Sequence, residues 1–262
     1  MGDEAKENAL FVASVAKAFD VLEVFRGGGK SLSLTDIIKR TNMGKSAVQR
    51  YLFTLEELGY IQKSSITKTY QLSIKNLSLA GGFLSQNIMI QAANPHLVEL
   101  RKKLDARIGL SVMADNKIIY LIPLQSRSEA FQNDYPGFEV PIYCTTSGRV
   151  FLSCCSNEEA LNTLENQDIT QRTLTTKTDI ASIMREIEKA KINGYCITEQ
   201  EYIHGQLNIA VPIFQGSHLI SACIVVVVPA SQWDVDKVTK EVLPLLMDSA
   251  RQIGTFNLHG NS

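Results

Sequence analysis

No apolar run in this chain is long enough to cross a bilayer: the longest, around 219–228, gives out after about ten residues where a spanning helix needs about twenty. A helical membrane protein is thereby excluded. Met1-Gly2-Asp3-Glu4 is acidic and lacks the apolar core of a secretory leader, so the expected location is the cytoplasm. Cysteine is sparse and poorly spaced. Five residues, an odd number with no CxxC and with Cys154 and Cys155 adjacent, make neither a disulfide framework nor a zinc pattern. His96, His204, His218 and His259 are scattered without metal or triad spacing, so the expectation is no metal, no cofactor and no catalytic residue. Excess charge is missing too: a net of -1 and a pI near 6.4 exclude a protein that coats nucleic acid indiscriminately. What is present is an ordinary globular composition, 45% hydrophobic and 20% charged, over 262 residues, enough for about two domains.

The small charge is unevenly placed. Residues 1–75 carry 11 Lys+Arg against 8 Asp+Glu, the remainder 15 against 19, so the basic part is N-terminal. There the order of signals is that of a winged helix-turn-helix. Ser33 is a good N-cap with Asp36 three residues on, and Leu34, Ile37 and Ile38 have helical core spacing. The helix ends near Thr41, where Asn42 and Gly44 favour a tight turn. A second helix starts at Lys45. Its apolar stripe of Val48, Leu52 and Leu55 must pack inward, which turns Ser46, Gln49, Arg50 and Phe53 outward. Arg pairs bidentately with guanine and Gln with adenine, while Lys45 and Ser46 at the helix start suit phosphates. Gly59 stops the helix. Residues 60–63 and 69–72 then read as a strand pair around a basic loop, with Lys63 and Lys68 placed for backbone contacts.

Around this unit lie further helices. Val15, Ala18, Phe19, Leu22 and Phe25 form one stripe ended by Gly27-Gly28-Gly29, expected to close the small core. Leu77, Ala80, Leu84 and Ile88 form another, interrupted by Gly81-Gly82 and closed by Asn94-Pro95, an N-cap and first-turn proline that should begin a new helix. A linker helix with an apolar stripe has no obvious burial within one chain, which points to a dimer. From Ile108 the pattern turns to strands: a hairpin at Asp115-Asn116, then 195–198, 207–214 and 219–228 with Gly216-Ser217 between the last two. Helices are expected after Ser156 with Glu159, over Ile180–Gly194, and at the C-terminus, where Pro244 should kink or restart the last one. Antiparallel strands with helices between them make an α+β domain with one face open to a ligand.

These residues resemble the IclR family of bacterial transcriptional regulators. The similarity is carried by Leu34-Thr35-Asp36-Ile37-Ile38, by Met43 through Arg50, by Leu55 with Leu58-Gly59-Tyr60, and by Tyr70-Gln71-Leu72. It continues in Ala93 with Pro95, in Pro141 followed by Thr145 to Arg149, in Gly194-Tyr195 and in Gly205 through Phe214. The resemblance implies a winged helix-turn-helix over 10–73, a linker helix over 74–93, a C-terminal GAF-like antiparallel-sheet effector domain over 94–258, and dimers that pair into tetramers on DNA. With the helix reading it gives a DNA-binding set of Ser33, Thr35, Lys45, Ser46, Gln49, Arg50, Tyr51, Lys63 and Lys68. The partners it implies are a double-stranded operator and a small-molecule effector.

Thr145, Thr146, Ser147 and Gly148 lead into an apolar run, a helix start suited either to an ordinary cap or to a ligand carboxylate. The resemblance favours the second. It adds Glu129, Gln132, Thr198, Gln206, Asn208, Val225 and Val227 as effector contacts. Many relatives have alternating serines and Gly-Pro where this chain has Val225-Val226-Val227-Val228-Pro229, and Arg149 stands where Lys is usual. An organic acid with an apolar, aromatic body is the effector this pocket wall suits. Two other readings compete: an enzyme built on Cys144, Cys196, Glu201 and His204, which has no local signature, and a winged helix that docks protein, which should present an apolar face where Lys45, Gln49 and Arg50 stand.

Overall fold

The computed structural model describes residues 10–26, 31–127, 134–216 and 219–256. Gly27-Gly28-Gly29, Glu129, Gln132, Ser217, His218 and His259 lie outside the described residues. The chain divides into two compact units, Met1–Leu84 and Ser85–Ser262.

In the first unit α1 (Ala13–Glu23), α2 (Leu34–Thr41) and α3 (Lys45–Glu57) are followed by the antiparallel pair β1 (Ile61–Lys63) and β2 (Tyr70–Leu72). The capping box forms as the sequence predicts: Asp36 N–H donates to Ser33 Oγ while Ser33 N–H donates to the Asp36 carboxylate. Asn42 ends α2 with φ 53°, but Gly44 is ordinary extended backbone with φ -65°, so the turn needs one left-handed residue rather than two. Val48, Leu52 and Leu55 point inward onto Val21, Ile37, Ile61 and Tyr70, and Leu32 bridges to Tyr70 as a third rung of the small sheet. The expected apolar stripe closes the core only in part: Leu22 and Phe25 pack against it. Val21 is the buried residue of this helix, whereas Val15 and Phe19 are 52% and 59% exposed. The domain is so small that one side of α1 satisfies its core, and the wider stripe is left over.

Helix α4 (Lys75–Gln86) runs through Gly81-Gly82 without a break and buries none of its residues. Helix α5 (Ile88–Leu104) begins at the Asn87 cap, not at Asn94, and Pro95 lies inside it. The Asn87 side chain accepts from Ile90 N–H and starts the helix first. Proline's fixed φ is helical, so it is carried within α5 at the loss of one backbone hydrogen bond.

The second unit is a six-stranded antiparallel sheet in the order β5-β4-β3-β8-β7-β6, from β3 (Arg107–Ala114), β4 (Lys117–Leu124), β5 (Glu139–Pro141), β6 (Cys196–Glu199), β7 (Gln206–Gln215) and β8 (Leu219–Pro229). The β3–β4 turn is the expected two-residue one, with φ 50° and 56° at Asp115 and Asn116. The short strand β5 is absent from the sequence reading. On one face lie α5 and α9 (Leu243–Phe256); on the other lie α6 (Thr146–Ser153), α7 (Asn157–Glu165) and α8 (Ile180–Asn193). The valine run of β8 is explained by this sandwich. Ile224, Val226 and Val228 enter the α5/α9 core, and Cys223 and Val225 the other, so a strand covered on both faces loses its polar alternation. Ahead of Pro244, residues 238–242 form a π turn in which Leu243 N–H reaches Val238 C=O, so the helix widens just where proline removes a donor.

Candidate functional site

Two faces gather the candidate residues. On α3, Lys45, Ser46, Gln49, Arg50 and Phe53 are all exposed on one side of a helix whose other side is core. Beside it the loop from Ser64 to Thr69 is held by its own hydrogen bonds: Ser64 N–H to Thr69 C=O, Lys68 N–H to Ser64 C=O, and Thr67 N–H to Ser64 Oγ. Lys68 takes φ 58° and is exposed; Lys63 is exposed with its ammonium 5.3 Å from the Tyr70 ring centre. Thr35 is exposed at the start of α2. Two expected contacts are placed otherwise. The Ser33 hydroxyl is engaged at 2.6 Å with Asp36 in the cap. Tyr51 falls a half turn away from the Gln49–Arg50 stripe and packs with the core, lining a groove with Val15, Phe19, Leu58 and Leu72.

In the second unit a small cavity of about 60 Å³ opens on the α6 side of the sheet. Thr145, Thr146, Gln206, Asn208, Val225 and Val227, all among the expected effector contacts, line it. Ser147, Gly148 and Thr198 do not. Each helical residue turns about 100° from the last, so of four consecutive residues at a helix start only the first two face the cavity. Ser147 Oγ instead accepts from Ser111 Oγ at 2.9 Å, and Gly148 lies against the Ile142 carbonyl so closely that a Cβ would overlap it. Thr198 sits on edge strand β6 behind Asn208, whose Nδ2 donates to its Oγ1 at 3.4 Å. Asn208 Oδ1 is buried and has no hydrogen-bond partner among the described residues.

The remaining wall is one that sequence reasoning missed. Arg107 opens β3 and faces the cavity, with its Nη1 3.7 Å from the Asp134 carboxylate. Tyr120, Phe138 and Tyr202 add aromatic surface. The Tyr120 ring lies where a Cβ on residue 109 would sit, 2.5 Å from its Cε1, which is why glycine is needed there. Burial, with the charge of Asp134, holds the Tyr120 phenol well above its usual range, so it remains a donor. A lone cation opening a largely apolar strand was the available signal for Arg107.

Behind the cavity the Arg149 guanidinium, fully buried, makes two 2.7 Å hydrogen bonds to Glu201, and Lys177 Nζ reaches the same carboxylate at 3.1 Å. Glu201 is thus committed to an ion pair. Burial pushes the Cys144 thiol up to about 11 and Cys196 up to about 12, far from a thiolate nucleophile at neutral pH. Among the described residues no group of three or more His, Cys, Asp or Glu could hold a metal, and no helix is long and apolar enough to cross a membrane.

Residues 14–65 match the family described as the IclR helix-turn-helix domain, and residues 82–255 the one described as bacterial transcriptional regulator IclR C-terminal. The chain is 28% identical over 244 residues, 93% of its length and 83% of the relative's, to the Pca regulon regulatory protein of Pseudomonas putida. An IclR family transcriptional regulator from Brucella abortus superposes with a TM-score of 0.81 at 24% identity, covering 97% of this chain and 95% of that one. An IclR homolog from Microbacterium hydrocarbonoxydans, solved in complex with 4-hydroxybenzoate, superposes with a TM-score of 0.76 at 22% identity over 94% and 99% of the two chains. These named relatives are regulators of transcription, not enzymes, and the two matches together leave little of the chain outside them. The chain belongs to the IclR family of transcriptional regulators.

Proposed function

We propose that this chain binds an operator through α3 and the β1–β2 wing, and that a small organic acid held in the cavity beside α6 governs that binding. The observation that carries the reading is the separation of chemistry on α3. Its fully buried residues, Val48, Leu52 and Leu55, are all aliphatic, and its outward side offers an amide, a guanidinium and an ammonium, the groups that read base edges and hold phosphates. Residues 10–73 then serve as the reading head, 74–93 as the linker and 94–258 as the effector domain. The 4-hydroxybenzoate bound by the Microbacterium homolog and the aromatic wall of Tyr120, Phe138 and Tyr202 both support an aromatic acid as the effector class.

The same reading includes a homodimer. Val15, Phe19, Leu58, Leu77, Leu79 and Phe83 are each more than half exposed, an apolar surface too large for one small domain to leave in water. Two heads so joined would place two α3 helices in successive major grooves of a near-palindromic site, and the effector would alter their spacing. Binding of the purified protein to the DNA flanking its own gene, measured across salt concentrations against scrambled competitor, is the test. Specific binding whose strength falls as salt rises is the expected result; equal affinity for both DNAs would refute it.

A further inference from the structure

Between β6 and β7 the chain leaves the sheet for residues 200–205, and this excursion brings Tyr202 and Ile203 into the cavity wall. Left-handed backbone at Gln200 (φ 56°) and Gly205 (φ 80°) brackets it, and Gln200 N–H donates to Gln206 C=O at 2.7 Å to close its base. Carbonyls that leave a sheet lose their ladder partners and need others. Here threonines of the preceding loop supply them. Thr173 Oγ1 donates to Gln200 C=O at 2.6 Å, Thr175 Oγ1 to the same carbonyl at 3.0 Å, and Thr176 Oγ1 to Glu201 C=O at 2.6 Å. Thr176 is the keystone of that loop, because its oxygen also accepts from Arg172 N–H at 3.1 Å and from Thr173 N–H at 2.8 Å. The Arg172 guanidinium stands 5.7 Å from the centre of the Tyr202 ring. Loop 170–177 thus grips one wall of the cavity from the solvent side, with Arg172, Leu174 and Thr175 exposed.

Glu201 carries that grip further. It adjoins Tyr202 in the chain, and its carboxylate accepts from Lys177 N–H and Lys177 Nζ in the loop and, twice at 2.7 Å, from the Arg149 guanidinium. Arg149 lies one turn along α6 from Thr145 and Thr146, which also line the cavity. A fully buried bidentate pair in a close-packed interior transmits a displacement rather than absorbing it. A second tie joins the loop to the chain just before α6, where Tyr143 OH donates to Thr170 C=O at 2.7 Å.

Resting on the effector-pocket reading above, we propose that loop 170–177 is a control surface for the effector cavity and that Glu201 is the positioning residue through which it acts. A change in the loop's hold on residues 200 and 201 moves the Tyr202–Ile203 wall directly and the Thr145–Thr146 wall through Arg149. The cavity is adjusted in this way from the solvent side, without anything entering it.

The test is amide hydrogen exchange of the full-length protein without ligand, followed by mass spectrometry over residues 143–150, 199–207 and, as a reference for global opening, 107–113 of β3. Thr176→Val keeps the shape of the side chain and removes its hydroxyl. Exchange over 199–207 should then quicken by about tenfold, the factor that one buried hydrogen bond carries, and over 143–150 by at least about twofold, with 107–113 unchanged. Thr176→Ser, which keeps the hydroxyl, should match wild type. In the Arg149→Met background Thr176→Val should still act on 199–207 and no longer on 143–150. A response confined to 199–207 in the wild-type background overturns the coupling. A response over 143–150 that persists in Arg149→Met assigns it to the Tyr143 tie and overturns the role of Glu201. Equal acceleration over all three stretches shows lost stability alone and overturns the proposal, as does no response at all. Because no ligand is present, failure here leaves the effector pocket standing; failure of the pocket, read as operator binding that no effector alters, leaves this result unaltered.

Discussion

Replacing Glu201 by alanine should cost more stability than replacing Arg149, its partner, and the reason is geometric. With Glu201 gone, the fully buried Arg149 guanidinium loses both of its 2.7 Å acceptors, and a buried charge stripped of its partner costs about 3 to 5 kcal/mol. With Arg149 replaced by methionine, Glu201 keeps Lys177, whose ammonium is 3.1 Å and whose backbone N–H is 3.2 Å away, so about 1.5 to 3 kcal/mol of that loss is spared. The double variant Arg149→Met/Glu201→Met puts apolar groups where the pair was, and should recover to within about 2 kcal/mol of wild type. The assay is urea unfolding followed by fluorescence of Trp233, the chain's one tryptophan, which packs against the core of the C-terminal unit and so reports that unit. At an m-value of about 3 kcal/mol/M, the Glu201→Ala midpoint should fall by about 1 to 1.7 M. Equal losses for the two single variants, or a double variant as unstable as their sum, would refute this account of the pair. The pH dependence follows with its sign. Burial alone would raise the Glu201 carboxyl, but the Arg149 hydrogen bonds and charge, joined by Lys177, outweigh it and hold the group below its ordinary range. Its stabilisation is therefore complete above the unfolded carboxylate pKa and is lost as pH falls through the lower folded value. Acid unfolding should begin at higher pH in Arg149→Met than in wild type.

Three further outcomes are expected. Gly148→Ala should destabilise the C-terminal unit by about 3 kcal/mol, read by Trp233 melting, because its Cβ would overlap the Ile142 carbonyl and α6 is buried along its whole length. Gln49→Ala and Arg50→Ala should each cost about 1 to 3 kcal/mol and relax base preference, while Lys68→Ala weakens matched and scrambled DNA alike and flattens the salt dependence; identical salt titrations for the three variants would contradict that division. Phe19→Asp, on an exposed part of α1, should convert a dimer to monomer in sedimentation velocity and leave the melting of the C-terminal unit unchanged.

Much of the head was legible because its signals are local. A capping box needs two residues three apart, a helix face needs the 3.6-residue period, and a two-residue turn needs left-handed backbone at Asp115 and Asn116. The start of α5 was misread for a related reason: Asn94-Pro95 and Asn87 are both plausible starts to local inspection, and the outcome depended on Met89, Ala92 and Ala93 being wanted in the α5/α9 core. The burial of α1 depended likewise on how little of its stripe the small domain could cover.

What the sequence determined by itself is therefore the family of elements and the chemistry of the α3 face: three helices, one of them with a capping box, a basic wing, an antiparallel domain and a polar stripe opposite an aliphatic one. Those properties depend on residues within a turn or two of one another. The cavity was decided by tertiary structure. Arg107, Tyr120, Asp134 and Asn208 come from separate stretches of chain, and only the pairing of β3 with β8 and of β8 with β7 brings Arg107, Val227 and Asn208 into one row. Residues that meet across a sheet leave no periodic mark along the chain, so this row of the cavity wall was invisible until the strands were in register.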